Sequence, residues 1–241
     1  MGNCQIIILL ILFNSIVSNG QNLVVNGSFE EYKECCKYYG QIDAVKGWFQ
    51  LYGSSDYFNS CCSYEDFLGV PNNFVGYQTP KHGNAYVGVA LFSSKDNRLK
   101  KNGYYYREYI HTKLLNTLEK DSLYVIILYY SLADSSKLYT DQISIAFSES
   151  RELQYHPQST NLLIPEFKVN IKVGPEAMDK NNWNKLSFIY EGKGIENYLI
   201  IGLFDDDLTL KEYKNNQKRI NNENGRHCYY YIDLVSVTKF K

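Results

Sequence analysis

Asp233 is the residue whose chemistry needs explaining first. It lies in Tyr230-Tyr-Ile-Asp-Leu-Val-Ser-Val237, where period-two alternation puts it on one face with Tyr231, Val235 and Val237, residues of strong core character. A buried carboxylate without a partner costs several kcal/mol, so it must meet a cation, backbone donors, or a metal shared with another acid. Glu30, in Asn26-Gly-Ser-Phe-Glu30, is the acid that a first strand lying beside the last would deliver. A second group has the character of a ligand site: Asp56, Asn59 and Asn73, followed by Tyr77, Arg107 and Glu108. Planar hydrogen-bonding groups beside aromatic rings suit sugar recognition. The same groups could instead form an internal network that fastens a loop to the body of the fold. Arg107 and Glu108 point to opposite faces of one extended run, so only one of them can line a site. Arg107 shares its face with Tyr105 and Tyr109, where a guanidinium can stack and bond bidentately. The expected centre is therefore Arg107, Asp56 and Asn73, with Tyr77 as the apolar wall.

Signals for catalysis are poor. None of the four histidines, His82, His111, His156 and His227, stands in His-Glu-x-x-His spacing, and there is no Gly-x-Ser-x-Gly elbow or phosphate-cradling glycine loop. A carboxylate pair such as Glu30 and Asp233 could serve glycoside hydrolysis, but at the two ends of a sandwich it is better explained by a structural cation. The run Asp205-Asp-Asp207 reads as a solvated turn rather than a calcium loop. The expectation is a protein that is not an enzyme.

These residues need strands to position them. The 241 residues, 44% hydrophobic with 23 Tyr and only 5 Pro, are enough for one large all-β domain. Alternation or apolar runs mark strands over residues 22–31, 45–51, 83–92, 104–111, 123–130, 143–148, 167–173, 183–190, 198–204 and 230–237. The run 123–130 is expected to be covered on both faces, and 143–148 and 167–173 on one face each. Trp48 follows a Gly turn and is expected in the core. Residues 52–78 read as a long loop, and residues 205–227 as a charged, solvated insertion. Lys plus Arg at 25 nearly cancels Asp plus Glu at 26, which argues against nucleic acid as a partner.

Residues 1–20 have the apolar run and small-residue end of a secretory signal, though no Lys or Arg precedes the run. The domain is then residues 21–241, with no membrane span. Export would oxidise most of the remaining five cysteines. The adjacent pairs Cys35, Cys36 and Cys61, Cys62 imply bridging between two loops, in a connectivity that the sequence leaves open, with Cys228 left over. A four-thiolate zinc site would want two residues between the cysteines of each pair. Asn26-Gly-Ser28 matches a glycosylation acceptor and is taken as coincidence.

The opening Asn26-Gly-Ser-Phe-Glu30, Gly47-Trp48 and the closing Tyr231-Ile-Asp-Leu-Val-Ser-Val237 resemble the galactose-binding-like jelly rolls used as carbohydrate-binding modules. A closer resemblance runs through Ser55-Asp-Tyr-Phe-Asn-Ser-Cys61, Val70-Pro-Asn-Asn-Phe-Val-Gly-Tyr-Gln78, Gly83-Asn-Ala-Tyr-Val-Gly88, Arg107-Glu-Tyr-Ile110, Ser131-Leu-Ala-Asp134 and Tyr198-Leu-Ile-Ile-Gly202. That series is similar to the domain that precedes OmpA-type peptidoglycan-binding domains in gliding Gram-negative bacteria. Leu234 stands where relatives usually carry a second acid, and Cys35-Cys36 where Cys-Pro is common. The resemblance implies a jelly-roll β-sandwich of two antiparallel sheets and a non-catalytic module for glycan or cell-envelope polysaccharide. It also implies a secreted, periplasmic or outer-membrane setting, with an adhesive protein bound to an envelope protein as the alternative. Together with Asp233 on its apolar face, it leads to the expectation of structural calcium held by Glu30 and Asp233.

Overall fold

The computed structural model describes residues 20–62, 67–93, 105–155, 162–205, 213–214 and 227–240. Nearly all of the expected signal segment and most of the 205–227 insertion lie outside them. Ten strands build the body: β1 (Trp48–Tyr52), β2 (Asp56–Asn59), β3 (Ala85–Ser93), β4 (Tyr109–Lys113), β5 (Leu123–Leu132), β6 (Gln142–Ser148), β7 (Phe167–Lys172), β8 (Asn184–Glu191), β9 (Tyr198–Gly202) and β10 (His227–Lys239). One five-stranded sheet has the order β1-β4-β9-β6-β7 and the other β8-β5-β10-β3-β2. Every pairing within them is antiparallel. The chain is thus an all-β jelly-roll sandwich. Among the described residues no helix is long and apolar enough to cross a membrane.

The two sheets close on one apolar core. Val87, Val89, Ile126, Leu128, Ile232 and Val237 from the second sheet meet Ile110, Ile145, Phe147, Leu199 and Ile201 from the first. Across this interface Phe147 stacks on Tyr190 with ring centroids 4.4 Å apart. Burial of such residues is the main stabilising term, about 1.5–3 kcal/mol per large side chain. Trp48 is fully buried and its indole N–H donates to the Asn26 carbonyl at 3.0 Å, which makes it a core residue.

Several strands differ from the pattern reading. Residues 22–31 are not a regular strand. They follow β10 through the Asn22–Thr238 bridge, the Leu23 N–H to the Val237 carbonyl at 2.8 Å and the Val235 N–H to the Gly27 carbonyl at 2.8 Å. The turn at Asn26, in the left-handed region with φ 51°, then carries the chain away. β5 lies between β8 and β10, yet its residues alternate between buried and half-buried along Tyr124–Tyr130, so it is not covered on both faces. β6 is the opposite case: six of its seven residues are buried, Ser144 and Ser148 included. Its outer face lies under Leu163, beside Ile200 and Phe204. β7 alternates as expected. Within the expected long loop, Asp56–Asn59 form β2 on the edge of the second sheet.

Candidate functional site

Two disulfides shape one end of the sandwich. Cys35 bonds Cys61 and Cys36 bonds Cys62, with Cα atoms 5.6 and 4.8 Å apart. They fasten the loop before β1 to the turn after β2. Cys228 is a free, buried thiol. The fastened loop carries Tyr39 outwards and delivers the Gly40 N–H to Asp56 Oδ1 at 2.7 Å. Residues 105–108 leave the first sheet before β4 and run along β3. The Tyr106 carbonyl accepts from the Ser93 N–H at 2.9 Å, and the Glu108 N–H donates to the Ala90 carbonyl at 2.9 Å.

This crossing places Glu108 beside Asp56. Both are almost completely buried, at 3% exposure, and both line a cavity of about 370 Å³. That volume falls in the usual range of small-molecule sites, about 300–1,000 Å³. Tyr39, Phe67 and Phe74 form its outer wall, with Phe67 and Phe74 stacked at 5.2 Å. Tyr106, Tyr229 and His227 also line it.

The acid pair is heavily hydrogen-bonded. Glu108 Oε1 accepts from the Tyr106 hydroxyl at 2.7 Å and from the Ser54 N–H and hydroxyl, each at 3.1 Å, and Oε2 accepts from the Ala90 N–H at 2.8 Å. Asp56 Oδ2 accepts from the Tyr229 hydroxyl at 2.6 Å. Burial, and then the Glu108 charge, push the Asp56 carboxyl up to about 8, against the hydrogen bonds from Tyr229 and Gly40. Burial also raises Glu108, against its donors. Four donors favour the charge on Glu108 and two leave the proton with Asp56, so Asp56 is the member of the pair that keeps its proton to higher pH. Gly88 of β3 permits the arrangement: a Cβ there would stand 2.0 Å from the Tyr229 hydroxyl.

The other expected site residues are dispersed. Arg107 is fully buried, but its Nη2 donates to the Asp205 carbonyl at 2.7 Å and its guanidinium lies 5.8 Å from the Tyr105 ring. It does not line the cavity with Asp56. Asn73 is buried in a tyrosine network, donating to the Tyr86 hydroxyl at 2.9 Å and accepting from the Tyr231 hydroxyl at 2.8 Å. Asn59 likewise donates to the Tyr57 hydroxyl at 2.6 Å. Tyr77 is exposed and lines a separate, more polar groove with Lys81, Lys180 and Trp183. Of the four expected ligand residues, only Asp56 reaches the aromatic cavity. Tyr229, Phe67, Phe74 and Tyr39 were missed by the sequence reading. The usable signal was the alternation that sets Tyr106 with Glu108.

Glu30 and Asp233 do converge, on the turn before β3. Glu30 Oε1 accepts from the Asn84 and Ala85 N–H groups at 2.9 and 3.0 Å. Asp233 Oδ2 accepts from the His82 N–H at 3.0 Å and Oδ1 from the Leu234 N–H at 2.6 Å. Gly83, at φ +63°, lets Glu30 approach, since a Cβ there would lie 2.4 Å from its carboxyl carbon. Burial first, with Glu30 adding, raises Asp233 to about 7 against these hydrogen bonds. Among the described residues no group of three or more His, Cys, Asp or Glu is placed to hold a metal ion. A bound cation would therefore need backbone carbonyls beside the two carboxylates.

No family model matches the sequence, and no curated protein matches it. Solved structures of similar shape do exist. The CBM22-1 xylan-binding domain of Paenibacillus barcinonensis Xyn10C is 11% identical, with 92% of this chain and 96% of that one covered at a TM-score of 0.44. The CBM22-1-GH10 modules of Clostridium thermocellum xylanase 10B are 13% identical over 91% of this chain, which spans only 29% of that protein, at 0.44. The K2 cleaved adhesin domain of Lys-gingipain, from Porphyromonas gingivalis, is 11% identical over 89% of this chain and 96% of its own, at 0.43.

Proposed function

We propose that this protein is an exported, non-catalytic module that binds glycan or cell-envelope polysaccharide in the aromatic cavity over Asp56 and Glu108. One observation carries the reading: a solvent-connected cavity of about 370 Å³ with tyrosine and phenylalanine walls and a buried carboxyl pair on its floor. Rings of this kind cover the apolar face of a sugar, and the carboxyls accept from its hydroxyls. Export is supported by the two disulfides, which persist in oxidising compartments. An envelope setting, as the resemblance to OmpA-preceding domains implies, belongs to the same proposal. The reading as a binder and not a hydrolase rests on the donors that already hold each carboxyl oxygen of the pair.

Calcium at Glu30 and Asp233 is proposed as a structural element. The donor set fits a hard cation: two carboxylates bond to the same turn, at His82 and at Asn84 and Ala85, and one is a buried acid with no ion pair among the described residues. A bound cation would hold the opening segment, the turn before β3 and β10 together.

Affinity electrophoresis against a panel of soluble polysaccharides tests the main reading. Retardation should weaken at least about tenfold in Tyr39→Ala or Glu108→Gln, a step of about 1.4 kcal/mol, and no new reducing ends should appear. Arg107→Met should bind as the wild type does. Binding that depends on Arg107 and ignores Tyr39 would overturn the site. A second reading, adhesion to an envelope protein, is favoured by Tyr38, Tyr39 and Tyr77, each more than half exposed; co-purification without polysaccharide retardation would select it.

A further inference from the structure

The floor of the aromatic cavity is negative. Among the described residues Asp56 and Glu108 make no ion pair and no Lys or Arg lines the cavity. The phenols of Tyr106 and Tyr229 both donate into the pair, so they stabilise its charge without cancelling it. Among the described residues His227 is the one basic side chain in the lining, where its ring meets Tyr106 edge-on at 6.1 Å. From the disulfide loop the Gly40 N–H donates to Asp56. A neutral sugar would leave this buried charge without a counter-ion. A cation would neutralise it while the surrounding ring faces attract the same charge.

Resting on the glycan reading of this cavity, we propose that its preferred ligand carries a cationic amine, an amino sugar with a free amino group in preference to its N-acetyl form. The ammonium sits above the Asp56–Glu108 pair, within the cage of Tyr39, Phe67, Phe74 and Tyr229. As it enters, the ammonium neutralises the one negative charge of the pair, and it is held more strongly where Asp56 gives up its own proton to solvent. Recognition is then linked to pH: affinity for a ligand of fixed charge rises as Asp56 ionises.

Isothermal titration of the full chain with a β-1,4-linked glucosamine hexamer, the matching N-acetylglucosamine hexamer, and choline tests this. The free-amine hexamer should bind at least about tenfold more tightly than the acetylated one. Choline, whose charge does not titrate, should bind more tightly at pH 8 than at pH 6, with proton release seen as a buffer-dependent heat. Asp56→Asn should abolish that pH dependence, and Tyr39→Ala, at an exposed rim position, should weaken choline without affecting folding. Equal or tighter binding of the acetylated hexamer overturns the amine inference and leaves the glycan reading standing. Choline binding without either hexamer overturns the glycan reading and keeps the amine site. Failure of all three probes overturns both.

Discussion

Replacing Asp56 with Asn should make the protein more stable at neutral pH, although it removes a buried, doubly hydrogen-bonded side chain. The Asp56 carboxyl is pushed up to about 8 from an ordinary 3.8, first by burial and then by Glu108. Between those two values the folded chain keeps a proton that the unfolded chain has released. Stability is therefore full below about 4 and is lost as pH rises towards about 8. Moving from pH 5 to pH 7 inside that window therefore costs on the order of 3 kcal/mol. For a domain of this size that is about 5–10 °C in Tm. Asn has the same shape, accepts from the Gly40 N–H, can donate to the Tyr229 hydroxyl, and does not titrate. Other groups contribute to the wild-type profile. Asp233, raised to about 7, acts in the same direction. His111, lowered to about 4 chiefly by burial, acts in the opposite direction between its folded and ordinary values. Both are present in the variant, so the difference between the two proteins isolates Asp56 together with its coupling to Glu108. Calorimetric melts of wild type and Asp56→Asn at pH 5, 6 and 7 should show the variant gaining on the order of 3 kcal/mol relative to wild type over that range. A difference that stays constant from pH 5 to pH 7 would refute the protonated acid pair.

If calcium joins the opening segment to β10, a chelator should lower the Tm, and calcium at a hundredfold excess over its Kd should restore about 2.7 kcal/mol. Asp233→Asn should abolish that response, and a Tm indifferent to chelator would sink the cation site. Each disulfide spans a separation of 26 residues, for which the chain-entropy model gives about 3.5 kcal/mol for the first bridge formed. The second should add less, because it closes a loop already closed, and urea midpoints of the two single-bridge variants and the doubly reduced protein measure both. Gly88→Ala should displace the Tyr229 ring, destabilise by about 1–3 kcal/mol and weaken polysaccharide retardation. Unchanged retardation in that Gly88→Ala variant would place binding away from Tyr229.

What was legible in the sequence is what depends on local pattern. Alternation alone placed Asp233 on the core face of the last strand, and adjacency alone paired the two cysteine loops. Neither could say what meets those residues: beside the adjacent Leu234 N–H, the donors to Asp233 are the backbone N–H groups of Lys81 and His82, about 150 positions away. The partition of bridges was equally hidden, because Cys35 with Cys62 closes nearly the same loop as Cys35 with Cys61. The buried face of β6 escaped because Ser144 and Ser148 read as solvent-facing. They are covered, and their hydroxyls donate to the Asn170 side chain at 2.8 Å and the Ser150 carbonyl at 2.7 Å.

The choice between Arg107 and Glu108 shows where pattern stops. Alternation correctly put them on opposite faces, and composition favoured Arg107, since a guanidinium between tyrosines suits ligand recognition. The deciding fact is long-range: residues 105–108 leave their own sheet and pair with the end of β3, which turns the Glu108 face towards Asp56 and the Arg107 face towards Asp205. A crossing between sheets reverses which alternate residues meet a given cavity, just as a one-residue slip in register does. The two faces therefore separate the roles that the sequence merged. Arg107 holds the chain leaving β9 through the Asp205 carbonyl, a structural task. Glu108, held by four donors, keeps the negative charge that raises Asp56 and that a cationic ligand would neutralise.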